Sequence, residues 1–584
     1  MSLPPLGPPP PDSARDADYA EWLEFTGKSG AEINVSPVHR LRISGPGPAG
    51  LTALPGDNRP ANKARGEAIL SGHWRFGATH IDIPHGHSPW GPDFPSFHFA
   101  DRIHRFHWLR DLAACGPTGE AHGRALVSAW VEAYGKWENF AWRMGVTADR
   151  IINMLSAGPW LFGPMQGEAR EQLLDTLGRQ MRHVQFSIPE ETDPAVRFRC
   201  AVALCLSGAA TEDGRKTLEA GLTLLEAACA TQILPDGGHV SRSPEALAEA
   251  LLDVHAVEEL MLRLGISAPL FLSKLQPRMA AMLSFFHTAD GGLLPANGGG
   301  DCVSGLGRAA LRPHGGINSK FAFARLSAYQ RVQAHDLTVH FDAGPGPERP
   351  HGGHAHAGAL GLTVDDGPER IITSCGSHAD LEPALRDAAR RTAAHSVLSL
   401  NGEDSAVFAV DPVTGMRAPD GPAQLAVRRM EEGDQYLLEG QHAGWRVRHG
   451  LIYRRRLYVA MNGGRITGED SLSRPMSEAP AQFPGGLIPF EIRFHLHPDV
   501  QIADGPDDRT VFLGLPQRQR VWRFRSETLL SVENSRYWGS EAARKSRQLV
   551  IRGVADPGAD GSQAPNRVRW ALTRVDPGSQ GESA

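Results

Sequence analysis

The stretch Arg446-Val-Arg-His-Gly-Leu-Ile-Tyr453, followed by Arg456-Leu-Tyr-Val-Ala-Met461 and the turn residues Asn462-Gly-Gly464, decides the fold of this chain. Apolar and polar residues alternate in it, which is the period of a strand with one buried face. The pattern predicts two consecutive strands that end in a hairpin turn. Similar short segments fill residues 326–555. Because no helix-length segment interrupts them after about residue 394, we expect an antiparallel sheet.

The first half of the chain follows a different period. Between Leu247 and Met261, apolar residues recur every three or four positions, as they do on one face of a helix. Similar segments fill residues 60–300, and the glycine-rich residues 301–325 look like a linker. Helices first and strands second predict an α+β chain of two domains, with an all-α domain over 60–300 and an antiparallel domain over 326–555.

Composition bounds the class of protein. The chain has 584 residues, of which 41% are hydrophobic and 22% charged, as in ordinary globular proteins. A formal charge of -6 argues against wholesale nucleic-acid binding, and no apolar run is long enough to span a membrane. The proline-rich residues 1–20 and the polar residues 556–584 are expected to be disordered tails. The start of the sequence lacks the pattern of a secretory signal, which favours the cytoplasm.

The densest chemistry lies in His351-Gly-Gly-His354-Ala-His356-Ala-Gly-Ala-Leu360. On a strand, His354 and His356 would face the same side. Two imidazoles on one face can share a metal, or one can bind a metal while the other transfers protons. The competing interpretation is that these histidines only pack in the sheet or lie on its surface.

Three segments in this half resemble the C-terminal domain of the heparinase II/III family of polysaccharide lyases. They are His354-Ala-His-Ala-Gly-Ala-Leu-Gly-Leu362, Arg370-Ile-Ile-Thr-Ser-Cys-Gly376 and Arg391-Thr-Ala-Ala-His-Ser-Val397. Upstream, Leu234-Pro-Asp-Gly-Gly-His-Val-Ser-Arg-Ser-Pro244 is similar to a segment of the family's helical domain. The motifs occur in the family's order and cover most of residues 60–555.

The resemblance implies an N-terminal incomplete (α/α) toroid followed by a C-terminal antiparallel β-sandwich. It also implies β-elimination of a uronate-containing polysaccharide, with no organic cofactor. Such a reaction needs a base for the C5 proton, an acid for the leaving oxygen and a group that neutralises the carboxylate. The implied partner is an acidic polysaccharide or oligosaccharide, and the implied compartment is the cell envelope or periplasm. The oligomeric state is not indicated.

The resemblance also assigns roles to single residues. His354 matches the family's catalytic histidine, whereas His356 and His395 match two ligands of the members that bind zinc. The third ligand of those members is an aspartate, and the matching strand end here is Ser374-Cys375. A thiolate is a good zinc ligand. The predicted zinc site is therefore His356, Cys375 and His395, or else the metal is lost. His395 alone could also simply pack at a strand start.

The helical half departs from the family pattern. Ala195-Val196 and Glu245-Ala246 occupy the positions of the family's carboxylate-binding Asn and catalytic Tyr. His239 and Arg242 are the candidates to replace them, because an arginine can bind a uronate bidentately and a histidine can transfer protons. The competing interpretation is that Arg242 pairs with Asp236 or Glu245 and that His239 caps a loop.

Three functions follow from these residues. The first is a polysaccharide lyase with His354, His239 and Arg242 as catalytic residues. The second is a catalytically degenerate glycan-binding protein that keeps the scaffold. The third is a metal-dependent hydrolase built on the histidine cluster.

Overall fold

The computed structural model describes residues 37–575, except for 85, 92–93, 139, 301–304, 320, 475–485, 560 and 563. The predicted tail over residues 1–20 lies outside this range. The chain forms two compact units. The first reaches Ile233 and adds Glu249–Pro277 and Val410–Met416, and the second contains Leu234–Ala248, Arg278–Ala409 and the chain from Arg417 onward.

Helices dominate the first half of the chain. In chain order they are α1 Pro37–Ile43, α2 Lys63–Leu70, α3 Phe97–His104, α4 Leu109–Ala113, α5 Pro117–Tyr134, α6 Met144–Ser156, α7 Gly158–Leu161, α8 Gly167–Ser187, α9 Pro194–Ala210, α10 Arg215–Gln232, α11 Pro244–Arg263, α12 Leu270–Phe285, α13 Leu306–Leu311, α14 Pro383–Ala389 and α15 Arg446–His449.

The pair α9 and α10 shows how the sequence builds the first unit. Asp193 caps α9, where its carboxylate accepts the backbone N–H of Ala195 at 2.8 Å. Gly208 and Gly221 lie where the two helices approach. A Cβ added at Gly208 would lie 2.3 Å from the Leu218 nitrogen, so only glycine fits this helix contact.

Charged side chains form a connected row inside the first unit. Asp253 contacts both Arg59, at 2.6 Å, and Arg199. Arg199 also contacts Asp149 at 2.5 Å, and Asp149 in turn contacts Arg105 at 2.5 Å. Burial alone would raise the pKa of Asp149, but Arg199 and Arg105 outweigh it and lower the pKa. Asp149 is therefore ionised and paired, and Asp253 is paired with two arginines.

Strands dominate the second half. In chain order they are β1 His73–Phe76, β2 Thr79–Asp82, β3 Phe323–Ala324, β4 Tyr329–Ala334, β5 Leu337–Asp342, β6 Leu362–Asp366, β7 Glu369–Thr373, β8 Leu398–Leu400, β9 Val407–Val410, β10 Arg417–Asp420, β11 Ala426–Glu432, β12 Gln435–Trp445, β13 Leu451–Ala460, β14 Arg465–Ser473, β15 Ile488–Leu496, β16 Gln501–Asp504, β17 Thr510–Leu515, β18 Arg520–Ser526, β19 Leu530–Tyr537, β20 Arg544–Ala555 and β21 Arg567–Val575.

Two large antiparallel sheets form the second unit. One has the order β11-β12-β13-β14-β21-β18-β17-β16, and the other β19-β20-β15-β7-β6-β5-β4-β3, with β8 also paired to β15. Apolar residues of both sheets form one core. Phe494 of the second sheet meets Trp570 of the first with ring centroids 4.7 Å apart. The α+β fold class with helices first and an antiparallel sandwich second is confirmed.

Several local predictions are wrong. The stretch 446–461 forms a single strand, β13, after the one-turn helix α15, because Gly450 in the left-handed region (φ 69°) ends the helix there. His354 and His356 lie in a loop between β5 and β6 instead of a strand. The predicted linker contains α13, and the predicted tail contains β21, which pairs with β14 and β18 inside a sheet.

Candidate functional site

The two histidines predicted to bind zinc, His356 and His395, form a hydrogen-bonded pair in the second unit. His395 Nδ1 lies 2.9 Å from the carbonyl of Arg391, so this nitrogen carries a proton and donates. Its Nε2 lies 3.1 Å from Nδ1 of His356 and accepts from it. His356 Nε2 then accepts the backbone N–H of Gly298 at 3.0 Å. These partners assign one neutral tautomer to each ring and use all four ring nitrogens.

Electrostatics keeps this pair neutral. Burial, followed by the charges of His395 and Arg390, lowers the pKa of His356 well below its usual range. Burial also lowers the pKa of His395. A proton added to either ring would place two N–H groups face to face. The pair can therefore neither accept a substrate proton nor offer a free nitrogen without breaking its own hydrogen bonds.

Asn297 connects the pair to the rest of the site and was missed by sequence reasoning. Its Oδ1 accepts the backbone N–H of His356 at 3.0 Å, and its Nδ2 donates to the Tyr329 hydroxyl at 2.9 Å and the Arg242 carbonyl at 3.1 Å. The Tyr329 hydroxyl donates to the same carbonyl, and burial raises the pKa of Tyr329. The glycine-rich sequence after Asn297 suggested only a linker. It carried no signal for these long-range contacts.

Arg242, a predicted catalytic residue, has its guanidinium occupied by contacts within the second unit. It is 7% exposed, its guanidinium lies 4.6 Å from the centre of the Tyr329 ring, and it forms an ion pair with Asp342. Burial alone would lower the pKa of Arg242, but Asp342 raises it, so the charge is retained. The guanidinium also donates to four backbone carbonyls at 2.6–3.3 Å. These belong to Ser327, Ala328, Gly344 and Pro345.

Backbone strain is concentrated around this cluster. Arg242, Asn297, Ala328 and Leu360 all have positive φ angles between 48° and 63° without being glycine. Such conformations persist where surrounding contacts hold them, as the hydrogen bonds to the Arg242 and Ala328 carbonyls do here.

The two predicted proton-transfer histidines lie in different surroundings. His239 Nδ1 accepts the backbone N–H of Ser241 at 3.2 Å, which is a local loop contact. Burial, followed by His351, lowers the pKa of His239 to about 4. His354 packs beside Gly298, its side chain is exposed, and its ring has no hydrogen-bond partner among the described residues. Among the described residues, no hydrogen bond or ring contact joins His239 and His354, and their shared role in proton transfer stays a prediction.

Cys375, the third predicted zinc ligand, points to a different histidine. Its sulfur lies 3.5 Å from Nδ1 of His495, and burial raises the pKa of the thiol to about 12. The residue that lines the same cavity as His356 and His395 is Ser374, whose hydroxyl donates to the Pro295 carbonyl at 3.0 Å. Among the described residues, no three His, Cys, Asp or Glu side chains are grouped to hold a metal ion. The residues present therefore do not fit zinc.

The cavity beside this cluster is small. It measures about 40 Å³ and is lined by Asn297, Tyr329, His356 and His395, among others. Since one water needs roughly 10–15 Å³ by this measure, the cavity holds a few waters. It is far below the roughly 300–1,000 Å³ of typical ligand pockets. A sugar ring does not fit inside it.

The chain has a helical first half and a second half of two sheets, and the histidine loop lies in the second half. Comparison with known proteins identifies this architecture as a fold like that of polysaccharide lyases. A sequence profile of the heparinase II/III-like C-terminal domain matches residues 316–571. The crystal structure of heparinase III superposes with a TM-score of 0.67 at 13% identity, covering 96% of this chain and 93% of that one. Heparan sulfate lyase HepC from Pedobacter heparinus superposes with a TM-score of 0.55 at 15% identity, covering 98% and 89%.

One curated relative is similar over nearly its whole length. FtsZ-localized protein C of Caulobacter vibrioides is 30% identical over 554 residues, which cover 93% of each chain. The chain belongs to the heparinase II/III-like family, and its fold is that of heparinase III, with a helical toroid followed by a β-sandwich.

No helix among the described residues has the length and apolar character needed to cross a membrane.

Proposed function

We propose that this chain is a noncatalytic member of the heparinase II/III-like family that acts as a binding protein in association with FtsZ. The proposed loss of catalysis rests on Arg242, because its guanidinium already binds Asp342 and four backbone carbonyls. The support for the association is the relative named FtsZ-localized protein C, which matches 93% of this chain.

Elimination needs groups that this site does not supply. The developing charge on the uronate must be neutralised by a free donor, and a base and an acid must lie within reach of the reacting atoms. Arg242 has no free donor pair, and the His356–His395 pair is closed on itself. His354 is exposed and His239 is half-buried, and burial lowers the pKa of both imidazoles to about 4. Two imidazoles without a free donor for the substrate carboxylate do not favour elimination.

Co-sedimentation tests the proposed association. The full chain is mixed with FtsZ polymers and with unassembled FtsZ, and the pellets are compared. We expect the chain to pellet with the polymers, and a fluorescent fusion to follow FtsZ in cells of the native host. The association would be refuted if the chain stayed in the supernatant and the fluorescent fusion did not colocalise with FtsZ. Fractionation of the same cells decides between the cytoplasm and the periplasm.

The alternative of a lyase has a specific basis in the fold match to heparinase III and in the exposed ring of His354. The chain is incubated with a panel of uronate polymers, and the ultraviolet absorbance of the unsaturated product is followed. We expect no product. Product that forms with the wild type and disappears with His354→Ala would overturn the noncatalytic proposal.

A further inference from the structure

The outer face of the eight-stranded sheet carries an excess of arginines. Register places the side chains of alternate residues of β11, β12, β13, β14, β21 and β18 on one face, opposite to the one that forms the core. Among these residues are eight arginines against three glutamates, Glu432, Glu439 and Glu469, a local formal charge of +5 on a chain of net charge -6. We call the eight the arginine face: Arg428, Arg454, Arg456, Arg465, Arg523, Arg525, Arg567 and Arg569.

One row of this face is held in place by alternating charges. Cross-strand neighbours run in the order Arg428, Glu439, Arg456, Glu469 and Arg569. Ion pairs join them at 3.0 Å for Arg428–Glu439, 3.3 Å for Arg456–Glu469 and 2.9 Å for Arg569–Glu469, and Arg456 also contacts Glu439. The two glutamates fix three guanidinium groups and still leave the row with one positive charge in excess. Fixed guanidinium groups lose less entropy on binding a ligand.

Among the arginines outside this row, Arg525 and Arg567 each have an acidic neighbour at the limit of ion pairing, Asp507 and Glu527 respectively, the latter at 4.0 Å. Arg523 is exposed and has no partner among the described residues. Arg525 has 60% of its side chain exposed and lies 3.9 Å from the carboxylate of Asp507, too far for a hydrogen bond. Arg454 is half-buried, and its Nε is shielded from solvent. The exposed guanidinium groups of Arg523 and Arg525 are available to carboxylates from outside.

We infer that the arginine face is a docking surface for an acidic segment of a partner polypeptide, an inference that rests on the proposed role of the chain as a binding protein. Carboxylates fit the fork of each guanidinium bidentately. The glutamates in the centre of the face disfavour an anionic membrane, whose uniform negative charge would meet Glu439 and Glu469 as well as the arginines. An acidic segment places its few carboxylates beside the arginines and avoids the glutamates.

The first test uses a fluorescein-labelled oligoglutamate peptide as the probe and the full chain at low and physiological ionic strength. The double variant Arg523→Glu/Arg525→Glu reverses two exposed charges that take part in no hydrogen bond among the described residues. The matched control is Arg536→Glu/Arg547→Glu, which makes the same charge change at exposed positions of the other sheet. We expect the first variant to bind at least about tenfold more weakly and the control to bind nearly as the wild type does.

Three outcomes overturn the inference. One is equal binding by the variant and the control, and another is a wild type that does not bind the peptide at low ionic strength. The third is binding to vesicles of equal parts phosphatidylglycerol and phosphatidylcholine that depends on Arg523 and Arg525, while peptide binding does not. That result would assign the face to a membrane instead.

Co-sedimentation with FtsZ separates this inference from the proposed function. If the arginine face carries the association, the wild type and the control pellet with FtsZ polymers, and Arg523→Glu/Arg525→Glu does not. If the variant still pellets, the association stands and the arginine face is refuted as its surface. If the wild type does not pellet but binds the peptide in an arginine-dependent way, the association with FtsZ fails and the docking surface stands.

Discussion

Replacement of Arg242 by methionine separates a structural arginine from a substrate-binding one. The substitution keeps most of the apolar stem and removes the guanidinium, so Asp342 loses its cation and four carbonyls lose a donor. Breaking a buried ion pair by removing one partner costs about 3–5 kcal/mol. Because the Asp342 side chain is 18% exposed, we take the lower end, about 3 kcal/mol.

Thermal unfolding measures this loss. A change of 1 kcal/mol shifts the Tm of a domain of 150–250 residues by about 2–4 °C, so we expect Arg242→Met to lower the Tm by at least about 6 °C. Arg242→Lys keeps the positive charge but loses the forked guanidinium, so its Tm should lie between those of the wild type and Arg242→Met. The exposed Arg536 supplies the control, since Arg536→Met should leave the Tm within about 1 °C. A Tm that hardly changes for Arg242→Met, together with lost binding of uronate oligosaccharides, would refute the reasoning and restore Arg242 as a binding residue.

Three further predictions concern other sites. Elemental analysis should find the purified protein with far less than one zinc per chain, and stoichiometric zinc that disappears in His356→Ala would contradict the poor fit of the site to metal. Asp253→Asn should destabilise the protein by roughly 3–5 kcal/mol, because Arg59 and Arg199 share that carboxylate, and chemical denaturation measures it. Burial raises the pKa of Asp365 to about 7, so the folded protein binds a proton at this carboxyl more tightly than the unfolded chain does. The free energy of unfolding should therefore fall as the pH rises from about 4 to 7. Asp365→Asn should flatten this pH dependence of the Tm, and an unchanged slope would contradict it.

The fold was largely predictable because it follows from periodicity. The change from helical spacing to alternation separates the α-helical from the β-strand half, and antiparallel pairing follows from the short connections. The errors lie where local pattern and long-range pairing differ. Arg567–Val575 follows a polar, glycine-rich segment that looked like a tail, yet Trp570 and Leu572 are buried in the core. Only pairing with β14 and β18, far away in sequence, reveals that strand.

The sequence predicted which residues form the site better than it predicted what each of them does. The resemblance to zinc-binding members of the family implied that His356 and His395 are neighbours, and their ring nitrogens are 3.1 Å apart. The sequence could not show which strand-end residue faces them. Ser374 and Cys375 are adjacent, and a difference of one residue turns the side chain to the other face of the chain. Cys375 therefore meets His495, and Ser374 lines the cavity.

The same hydrogen bonds give Arg242 and the His356–His395 pair a structural role that does not depend on catalysis. A buried arginine and a buried histidine pair are costly unless every donor and acceptor is matched, and here Asp342, Asn297 and Gly298 supply the matching groups. Once matched, these residues stabilise the sandwich whether or not a substrate is ever bound. Selection for the fold alone would then retain Arg242 and His356. Their presence is therefore evidence for the scaffold, whereas the exposed His354 and the arginine face are candidates for recognition at the surface.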